Sequence, residues 1–400
     1  MEFKRPRLLV LTPRYPYPVI GGDRLRIYYL CKELAKDYSL TLLSLCESSA
    51  ELNSEIPRDG VFERVERVFL PKWRSLFNVI LAMPTDTPMQ VAYYRSSEFA
   101  RRLEALLPQH DVCLAHLIRT GDYVNGVMTP KVLEMTDAIS LNYKRVRQLK
   151  ARTSLKTWVY SLEADRLLKY EKDAIRRFDV VSLVSDTDRT FLLDGGQADH
   201  VLTCSNGVDL STLPYHERPE SGRVIAFIGN VTSAQNFDAC VHFAEDLLPA
   251  LRAKYGVSFR VVGKIYEAQA EDLRKYDGVE VTGLVESVAE AVKDAVIGVC
   301  PVRLGAGVQN KVLEYMALGI PAITSTIGLE GLAAQPEKDL LVADTVDEYL
   351  QAVGRLLNDR GFALGLARDG RRYVEQHHDW DVMIRPLRER MAKVLEGRVG

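Results

Sequence analysis

The sequence predicts two doubly wound α/β domains in tandem, each built on a parallel sheet. First, the length of 400 residues exceeds that of one average domain. Second, short apolar runs alternate along the chain with segments whose apolar residues have helical spacing, which is the pattern of parallel βαβ units. Third, several of these runs end in glycine or polar residues, as expected for loops at the carboxyl ends of parallel strands.

The first half opens with a strand, a loop, a helix and a second strand. Residues 7–11 and 39–45 are apolar runs, and the segment between them contains three prolines, a Gly21-Gly22 pair and a helical pattern from Asp23. We expect a right-handed crossover between two parallel strands. Further strands are predicted at 65–70, 112–116, 132–135 and 179–185, with helices at 97–107 and roughly 140–177.

The second half repeats the alternation more clearly. Strands are predicted at 224–228, 257–263, 279–282, 296–301, 320–324 and 340–342. Helices are predicted at 267–275, 287–292, 308–318, 345–359, 362–377 and 380–395. We therefore expect an N-terminal domain over 1–210 and a C-terminal domain over 217–378, with a final helix in 379–400 that packs back on the first domain.

The composition is that of an ordinary globular protein and argues against several functional classes. A net charge of −2 gives no electrostatic case for binding nucleic acid. Most of the six cysteines lie in apolar runs, and none forms a Cys-x-x-Cys pair, which favours buried thiols over disulfides or a zinc site. No apolar stretch reaches eighteen residues, and the first residues lack the apolar core of a secretory signal. We expect a cytoplasmic protein.

The most informative segment runs from Pro301 to Glu314, where a predicted strand passes into a predicted helix. Gly305 and Gly307 let the backbone approach a ligand, and the helix that starts near Val308 offers free N–H groups and a favourable dipole. This arrangement is typical of a site for phosphate groups. The alternative is that the glycines only form a tight strand–helix turn.

Charged residues around this loop point to a nucleotide. Arg303 before it and Lys311 in the helix can add positive charge for a diphosphate. Glu314 lies one turn beyond Lys311 on the same helical face, where its carboxylate can accept both hydroxyls of a ribose. The alternative is that Lys311 and Glu314 form only a surface ion pair.

Three other predicted strands also end in glycine loops, and ligands of doubly wound sheets bind at this edge. The loops are Gly229-Asn230, Gly263-Lys264 and Gly283-Leu284-Val285.

These motifs resemble the retaining glycosyltransferases of family 4, which have the GT-B fold, and among them bacterial sugar transferases of exopolysaccharide biosynthesis. The resemblance covers almost the whole chain, densely over 223–345 and sparsely over 48–180. The segments that match include 17–26, 184–188, 205–209, 227–230, 279–285, 305–317 and 319–321.

The resemblance implies a role for each matching residue of the second domain. Glu314 would hold the donor ribose, while Arg303, Lys311 and the backbone of Gly305–Val308 would hold the diphosphate. Val285 would flank the base through its backbone.

In the first domain, the resemblance implies that Gly21 and Gly22 approach the donor phosphate or sugar. His116, which ends a predicted strand, matches a histidine that contacts the transferred sugar. Asp137 ends the next strand and is the other candidate for catalysis or acceptor orientation. The alternatives are a structural histidine and a capping aspartate.

The sequence departs from the family pattern in two places. Ala306 stands where the family has the first glutamate of its Glu-x7-Glu motif. No cation occurs in Asn230–Asn236, so we expect Arg303, Lys311 and helix N-termini to meet the diphosphate charge, with Lys264 as a further candidate.

The resemblance implies transfer of a sugar, with retention, from a nucleoside-diphosphate sugar to a glycan or lipid-linked acceptor. The site would lie in a central cleft between the two domains, and we expect neither a metal nor another cofactor. Asp186-Thr187-Asp188 sits at a strand–helix junction, where N-capping is a better explanation than metal binding. Two alternatives stay open: a GT-B-fold nucleotide-sugar 2-epimerase, and a non-catalytic relative, for which Ala306 is the best argument.

The stretch 71–83 is basic at its start and strongly apolar afterwards. It can be a surface that docks on the anionic inner face of the plasma membrane, where a lipid-linked acceptor is presented. The alternative is a core helix of the first domain.

Overall fold

The computed structural model describes residues 5–19, 22–149, 155–217, 219, 221–303 and 308–399. Gly21, Gly305, Ala306 and Gly307, all expected at the site, lie outside these residues. The chain divides into two compact units: the first comprises Met1–Ser205 with Ile384–Gly400, and the second comprises Asn206–Met383.

The first unit contains a parallel sheet of seven strands in the order β3-β2-β1-β4-β5-β6-β7. The strands are β1 (Arg7–Thr12), β2 (Ser39–Cys46), β3 (Arg64–Phe69), β4 (Val112–His116), β5 (Lys131–Thr136), β6 (Val180–Leu183) and β7 (Val201–Thr203). Leu8–Leu11 and most of β2 are buried. A parallel strand with such burial has both faces covered, which explains why these strands are continuous apolar runs instead of alternating ones.

Nine α-helices connect or flank these strands in the described residues between Gly22 and Leu192. They are α1 (Gly22–Leu34), α2 (Ser49–Asn53), α3 (Lys72–Ala82), α4 (Met89–Tyr93), α5 (Ser97–Leu106), α6 (Ile118–Gly121), α7 (Ile139–Leu149), α8 (Leu155–Arg177) and α9 (Asp186–Leu192). Short 3-10 turns cover Leu107–Gln109 and Asp122–Val124.

The second unit contains a parallel sheet of six strands in the order β10-β9-β8-β11-β12-β13. The strands are β8 (Val224–Ile228), β9 (Ser258–Val262), β10 (Val279–Gly283), β11 (Ala295–Cys300), β12 (Ala322–Thr324) and β13 (Leu341–Val342). The helices are α10 (Ala234–His242), α11 (Leu248–Tyr255), α12 (Glu267–Arg274), α13 (Val288–Ala291), α14 (Asn310–Ala317), α15 (Thr326–Leu329), α16 (Val346–Asn358) and α17 (Arg360–His377). One π turn, Phe243–Leu247, joins α10 to α11, and α18 (Trp380–Val399) ends the described chain.

The predicted fold class, two parallel α/β domains, is confirmed. The six cysteines are buried and unbonded, as predicted. The helical pattern predicted over 140–177 is present as α7 and α8. No helix among the described residues is long and apolar enough to cross a membrane.

The Asp186-Thr187-Asp188 segment is explained by local structure. Ser185 caps α9 by accepting a hydrogen bond from the Asp188 N–H. Asp188 is buried, and its carboxylate accepts from the Ala138 N–H at 3.1 Å. Asp186 accepts from the Thr203 hydroxyl at 2.5 Å. The expected capping of α9 is therefore provided by Ser185 and not by the two carboxylates, which bind groups after β5 and in β7.

Candidate active site

The second sheet has its topological switch point between β8 and β11, where the strand order reverses. The two strands are paired as far as Ala226 and Gly298. Beyond that pair, the Tyr315 hydroxyl accepts from the Ile228 N–H at 2.8 Å and donates to the Val299 carbonyl at 3.1 Å. Tyr315 thus bridges the carboxyl ends of the two strands at the edge where ligands of such sheets bind.

Removal of this bridge is expected to cost stability. Tyr315→Phe leaves a buried N–H and a buried carbonyl without the hydroxyl, and we expect the free energy of unfolding to fall by about 1–3 kcal/mol in urea titrations. Tyr349→Phe is the matched control, because the Tyr349 hydroxyl is buried without a hydrogen-bond partner among the described residues. Equal losses in the two variants would contradict the bridging role.

Three glycine loops lie against one another at this edge. The Gly229 N–H donates to the Val262 carbonyl at 2.9 Å, the Val231 N–H to that of Lys264 at 2.8 Å, and the Gly263 N–H to that of Gly283 at 3.0 Å. Gly263 has φ +129°, and a Cβ there would lie 2.1 Å from the Gly229 carbonyl oxygen. Glycine at 263 is therefore required for the close approach of the loops after β8 and β9.

Lys311 is held beside the first of these loops. Its side chain is 7% exposed, and Nζ donates to the Gln309 side chain at 2.8 Å and lies 5.4 Å from the centre of the Phe227 ring. A Cβ on Gly229 would stand 3.6 Å from the Lys311 Cε. The structure thus brings together Gly229 and Lys311, two residues that were expected to hold a ligand.

Glu314 follows on the same helix, α14, and is partly exposed. Burial in its surroundings raises the pKa of Glu314 to about 7, and the positive charge of Lys311 opposes this shift. The carboxyl group is therefore close to half ionised at neutral pH. A partly exposed glutamate one turn from a buried lysine matches the arrangement that the helical spacing predicts.

Arg303 forms an ion pair within the second unit. Its guanidinium donates to both carboxylate oxygens of Asp238 on α10, at 2.8 and 3.3 Å, and this interaction raises the pKa of Arg303. The arginine is half exposed. Asp238 was not predicted as part of the site, because it lies 65 residues away in the sequence. A diphosphate at Arg303 would have to compete with this carboxylate.

The remaining predicted residues of the second unit lie in its loops. Asn230 is exposed and accepts from the Asn236 side chain through its carbonyl oxygen and from Thr232 through its side chain. Lys264 is exposed, while Val285 and Val308 are partly buried and pack against the core. Asn230 therefore stabilises its own turn, and its role toward a ligand stays a prediction.

Two residues that the sequence did not single out stand beside these loops. Tyr266 and Leu284 are 62% and 64% exposed. Each follows the glycine at the end of its strand, β9 or β10. The sequence could have indicated both residues, because each is a large side chain within three positions of a glycine at the end of a strand.

In the first unit, His116 ends β4 and is buried at 2% exposure. It is paired in register with Glu134 on β5, and its Nδ1 lies 2.6 Å from the Glu134 Oε2. Leu117 and Thr136, which are next to this pair, have φ of +60° and +67°. Backbone strain of this kind in residues other than glycine is concentrated at functional sites.

A buried arginine completes the group around Glu134. The Arg26 Nε donates to the Glu134 Oε1 at 2.7 Å, and Nη2 donates to the Cys204 carbonyl at 2.8 Å. Burial alone would raise the pKa of Glu134, but Arg26 and His116 lower it to about 2. Because Glu134 is an anion, it accepts a hydrogen from His116 Nδ1, and in the neutral form of the ring Nε2 is then the acceptor atom.

Arg26 and Glu134 were not predicted as site residues. A charged residue inside the apolar run 132–135 was the available signal for Glu134, since acids are almost never fully buried unless paired. Arg26 lies in a segment, 17–26, that matches the family motif, but nothing in that segment shows which residue it pairs with.

The other predicted residues of the first unit are Asp137 and Gly22. Asp137 accepts from the Asn142 side chain at 2.7 Å, and burial, together with the charge of Asp188, raises the pKa of Asp137 to about 6. Gly22 is exposed at the start of α1. Among the described residues, no group of three or more His, Cys, Asp or Glu side chains is arranged to hold a metal ion.

Comparison with known proteins agrees with this geometry. Residues 222–359 match the family model described as group 1 glycosyl transferases. No curated protein matches the chain by sequence.

Several solved structures are similar to the chain over nearly its full length. Sucrose-phosphate synthase from Thermosynechococcus elongatus has a TM-score of 0.71 at 14% identity, covering 98% of this chain and 100% of that one. HepE from Anabaena in complex with UDP has a TM-score of 0.65 at 12% identity, covering 97% and 100%. A glycosyltransferase from Rickettsia africae has a TM-score of 0.63 at 13% identity, covering 97% and 98%. At these identities the likeness shows the fold, which is GT-B.

The group 1 match contains the switch point, the glycine loops, Lys311 and Glu314. The fold and this match together support a glycosyltransferase of the GT-B fold whose group 1 domain lies in the second unit.

Proposed function

We propose that the protein is a retaining glycosyltransferase of family 4. It would transfer a sugar from a nucleoside-diphosphate sugar to a glycan or lipid-linked acceptor in the synthesis of bacterial surface polysaccharide or exopolysaccharide. We place this reaction in the cytoplasm. Two observations support the proposal. They are the glycine loops with Lys311 and Glu314 in the second unit, and the GT-B fold with its match to group 1 glycosyl transferases.

The observation that carries the proposal is the position of Lys311 and Glu314 at the switch point of the second sheet. Lys311 lies beside the Gly229 loop, where a positive charge can stabilise the negative charge that develops on a departing diphosphate. Glu314 is one turn further along α14, where its carboxylate would accept hydrogen bonds from the hydroxyls of a ribose attached to that diphosphate. A diphosphate and a ribose linked in this way are the two parts of a nucleoside diphosphate.

For the donor we propose UDP as the first nucleotide to test. HepE, which shares the fold, has been solved with UDP and with UDP-glucose. The exposed Tyr266 after β9 and Leu284 after β10 offer apolar surface of the kind that a base can pack on. We propose no metal, because Lys311 and Arg303 supply positive charge at this edge.

His116 would act on the transferred sugar from the first unit. With its Nδ1 hydrogen held by Glu134, the neutral ring offers Nε2 as an acceptor for a sugar hydroxyl. Its role would be to orient the sugar while the diphosphate leaves. Ala306 supplies no carboxylate, so the acceptor hydroxyl would be activated by another group, and Asp137 is our candidate.

The test is to incubate the purified protein with UDP-sugars and GDP-sugars and to follow both the released nucleotide and the released sugar. We expect slow release of UDP, with the sugar retaining the anomeric configuration of the donor in early proton NMR spectra. Lys311→Gln is expected to weaken UDP binding at least 10-fold in calorimetry, because it removes a buried charge from the diphosphate site. Lys275→Gln is the control, because Lys275 is an exposed lysine of the same unit that pairs with Asp272.

Other outcomes would identify a different function. Interconversion of the donor sugar would indicate a 2-epimerase, and nucleotide binding without turnover on any acceptor would indicate a non-catalytic relative. A sugar released with the opposite configuration would contradict the retaining mechanism.

A further inference from the structure

The helix α3 has a row of large apolar side chains on its outer surface. Trp73, Leu76, Phe77, Ile80 and Leu81 follow the spacing i, i+3, i+4, i+7 and i+8, so they form one face of the helix. We call these five residues the apolar stripe. Their exposed fractions are 70% for Trp73, 58% for Leu76, 54% for Phe77, 59% for Ile80 and 57% for Leu81.

The burial of α3 is the reverse of that of an ordinary surface helix. Its buried residues are Ser75 and Ala82, and the Asn78 side chain donates to the Arg95 carbonyl at 2.9 Å. The small and polar side of α3 therefore faces the protein, while the apolar stripe faces outward. The alternative that 71–83 is a core helix is wrong for this reason.

The stripe stands out from the rest of the described surface. Eleven large apolar residues are exposed in the described chain, and six of them lie between Trp73 and Met83. Single exposed apolar residues need no explanation, but a contiguous set of this size marks an interaction surface.

The charges around α3 indicate the kind of partner. No Asp or Glu occurs between Glu66 and Asp86. Lys72 and Arg74 are exposed in the first turn of the helix, beside Trp73. A partner with an apolar interior and a negatively charged surface would bury the apolar stripe and also pair with these two cations.

We propose that α3 docks on a bilayer that contains anionic lipids. The helix would lie in the plane of the interface, with the apolar stripe among the acyl chains and with Lys72 and Arg74 at the headgroup phosphates. Its eleven residues span about 16 Å, too short to cross a hydrocarbon core of about 30 Å. A second copy of the chain is a weaker candidate, because α3 carries no carboxylate to pair with the two cations of another α3.

The docking goes beyond the proposed sugar transfer and can be tested without it. The full chain is mixed with vesicles of phosphatidylglycerol and phosphatidylcholine, or of phosphatidylcholine alone, and the bound fraction is measured by co-sedimentation. We expect binding to the anionic vesicles and markedly weaker binding to the neutral ones.

Two sets of variants separate the apolar and electrostatic contributions. Phe77→Glu with Ile80→Glu is expected to weaken binding on the order of 100-fold, because two large apolar side chains no longer enter the bilayer. Lys72→Gln with Arg74→Gln is expected to weaken binding to anionic vesicles about 30-fold and to leave binding to neutral vesicles unchanged. Met128→Glu, at a residue that is 83% exposed in the same unit, is the control and should bind like the unmodified chain.

Thermal unfolding and sedimentation velocity complete the test. The replaced side chains are exposed, so the unfolding temperature should stay within a degree or two. Absence of binding to anionic vesicles, or equal binding by the Phe77→Glu, Ile80→Glu variant, would overturn the proposal. A dimer that this variant abolishes, without any vesicle binding, would instead assign the stripe to a second copy of the chain.

Discussion

Glu314→Gln is expected to weaken donor binding by about 10- to 100-fold at pH 8 while raising the unfolding temperature of the protein. The carboxylate would accept hydrogen bonds from the ribose hydroxyls, and hydrogen bonds to a charged group contribute about 1.5–3 kcal/mol each. Glutamine keeps the shape and one acceptor oxygen but loses the charge. Binding of UDP, measured by calorimetry, is the direct readout and rests on the proposed function.

The pH dependence of the same residue has a defined sign. Burial raises the pKa of Glu314 to about 7, so its carboxyl group is protonated below that pH. Donor binding by the unmodified chain should therefore strengthen as the pH rises from 6 to 8, and the variant should lack this dependence.

The stability of the folded protein depends on pH in the opposite direction from donor binding. A carboxyl group whose pKa is raised on folding contributes stability that is present below its ordinary pKa and is lost as the pH rises through about 7. The gain in unfolding temperature of Glu314→Gln should thus be seen at pH 8 and disappear near pH 5. Glu290→Gln, at an exposed acid beside Lys293, is the control and should change neither quantity. Donor affinity that is constant between pH 6 and 8 would count against a carboxylate at the ribose.

The arrangement of the glycine loops, Lys311 and Glu314 was largely predictable, because the patterns that indicate it are local in the sequence. Lys311 and Glu314 are three positions apart, and the helical period alone places them on one face. The glycine loops follow recognisable strands, and parallel strands end at a common edge. The pairing of Arg303 with Asp238 and the bridge by Tyr315 were not predictable, because each joins elements whose packing no local pattern describes.

In the first unit, prediction from the sequence was limited for a different reason. Between β2 and β4 the structure has short helices such as α2 and α4, each of five residues, and such segments are too short to have a recognisable period. For α3 the period was visible, but it does not tell which side of the helix faces the protein. The side that faces the protein is the one with the small residues Ser75 and Ala82, which are the buried residues of the helix.

Glu134 is the residue of the first unit whose loss we expect to be most costly. Glu134→Ala leaves the guanidinium of Arg26, 2% exposed, without its anion, and removal of one partner from a buried ion pair costs about 3–5 kcal/mol of unfolding free energy. Because Arg26 and His116 lower the pKa of Glu134 to about 2, its contribution to stability is present above the ordinary pKa of a glutamate. It should be lost as the pH falls from about 4.5 toward 2.

Glu134→Gln separates the structural role of Glu134 from the role that we propose for His116 in binding the sugar. The amide keeps an oxygen for Arg26 but presents an N–H₂ to His116 Nδ1, which moves the ring hydrogen to Nε2 and removes the acceptor that a sugar hydroxyl would use. We expect kcat for sugar release or transfer to fall about 100-fold or more, with a smaller change in KM for the donor. Glu163→Gln, at another buried acid of this unit, is the matched control, because Glu163 accepts from the Met89 N–H and has no histidine partner among the described residues. If the two variants lose stability alike and both keep their kcat, Glu134 only neutralises Arg26, and His116 does not depend on it to orient the sugar.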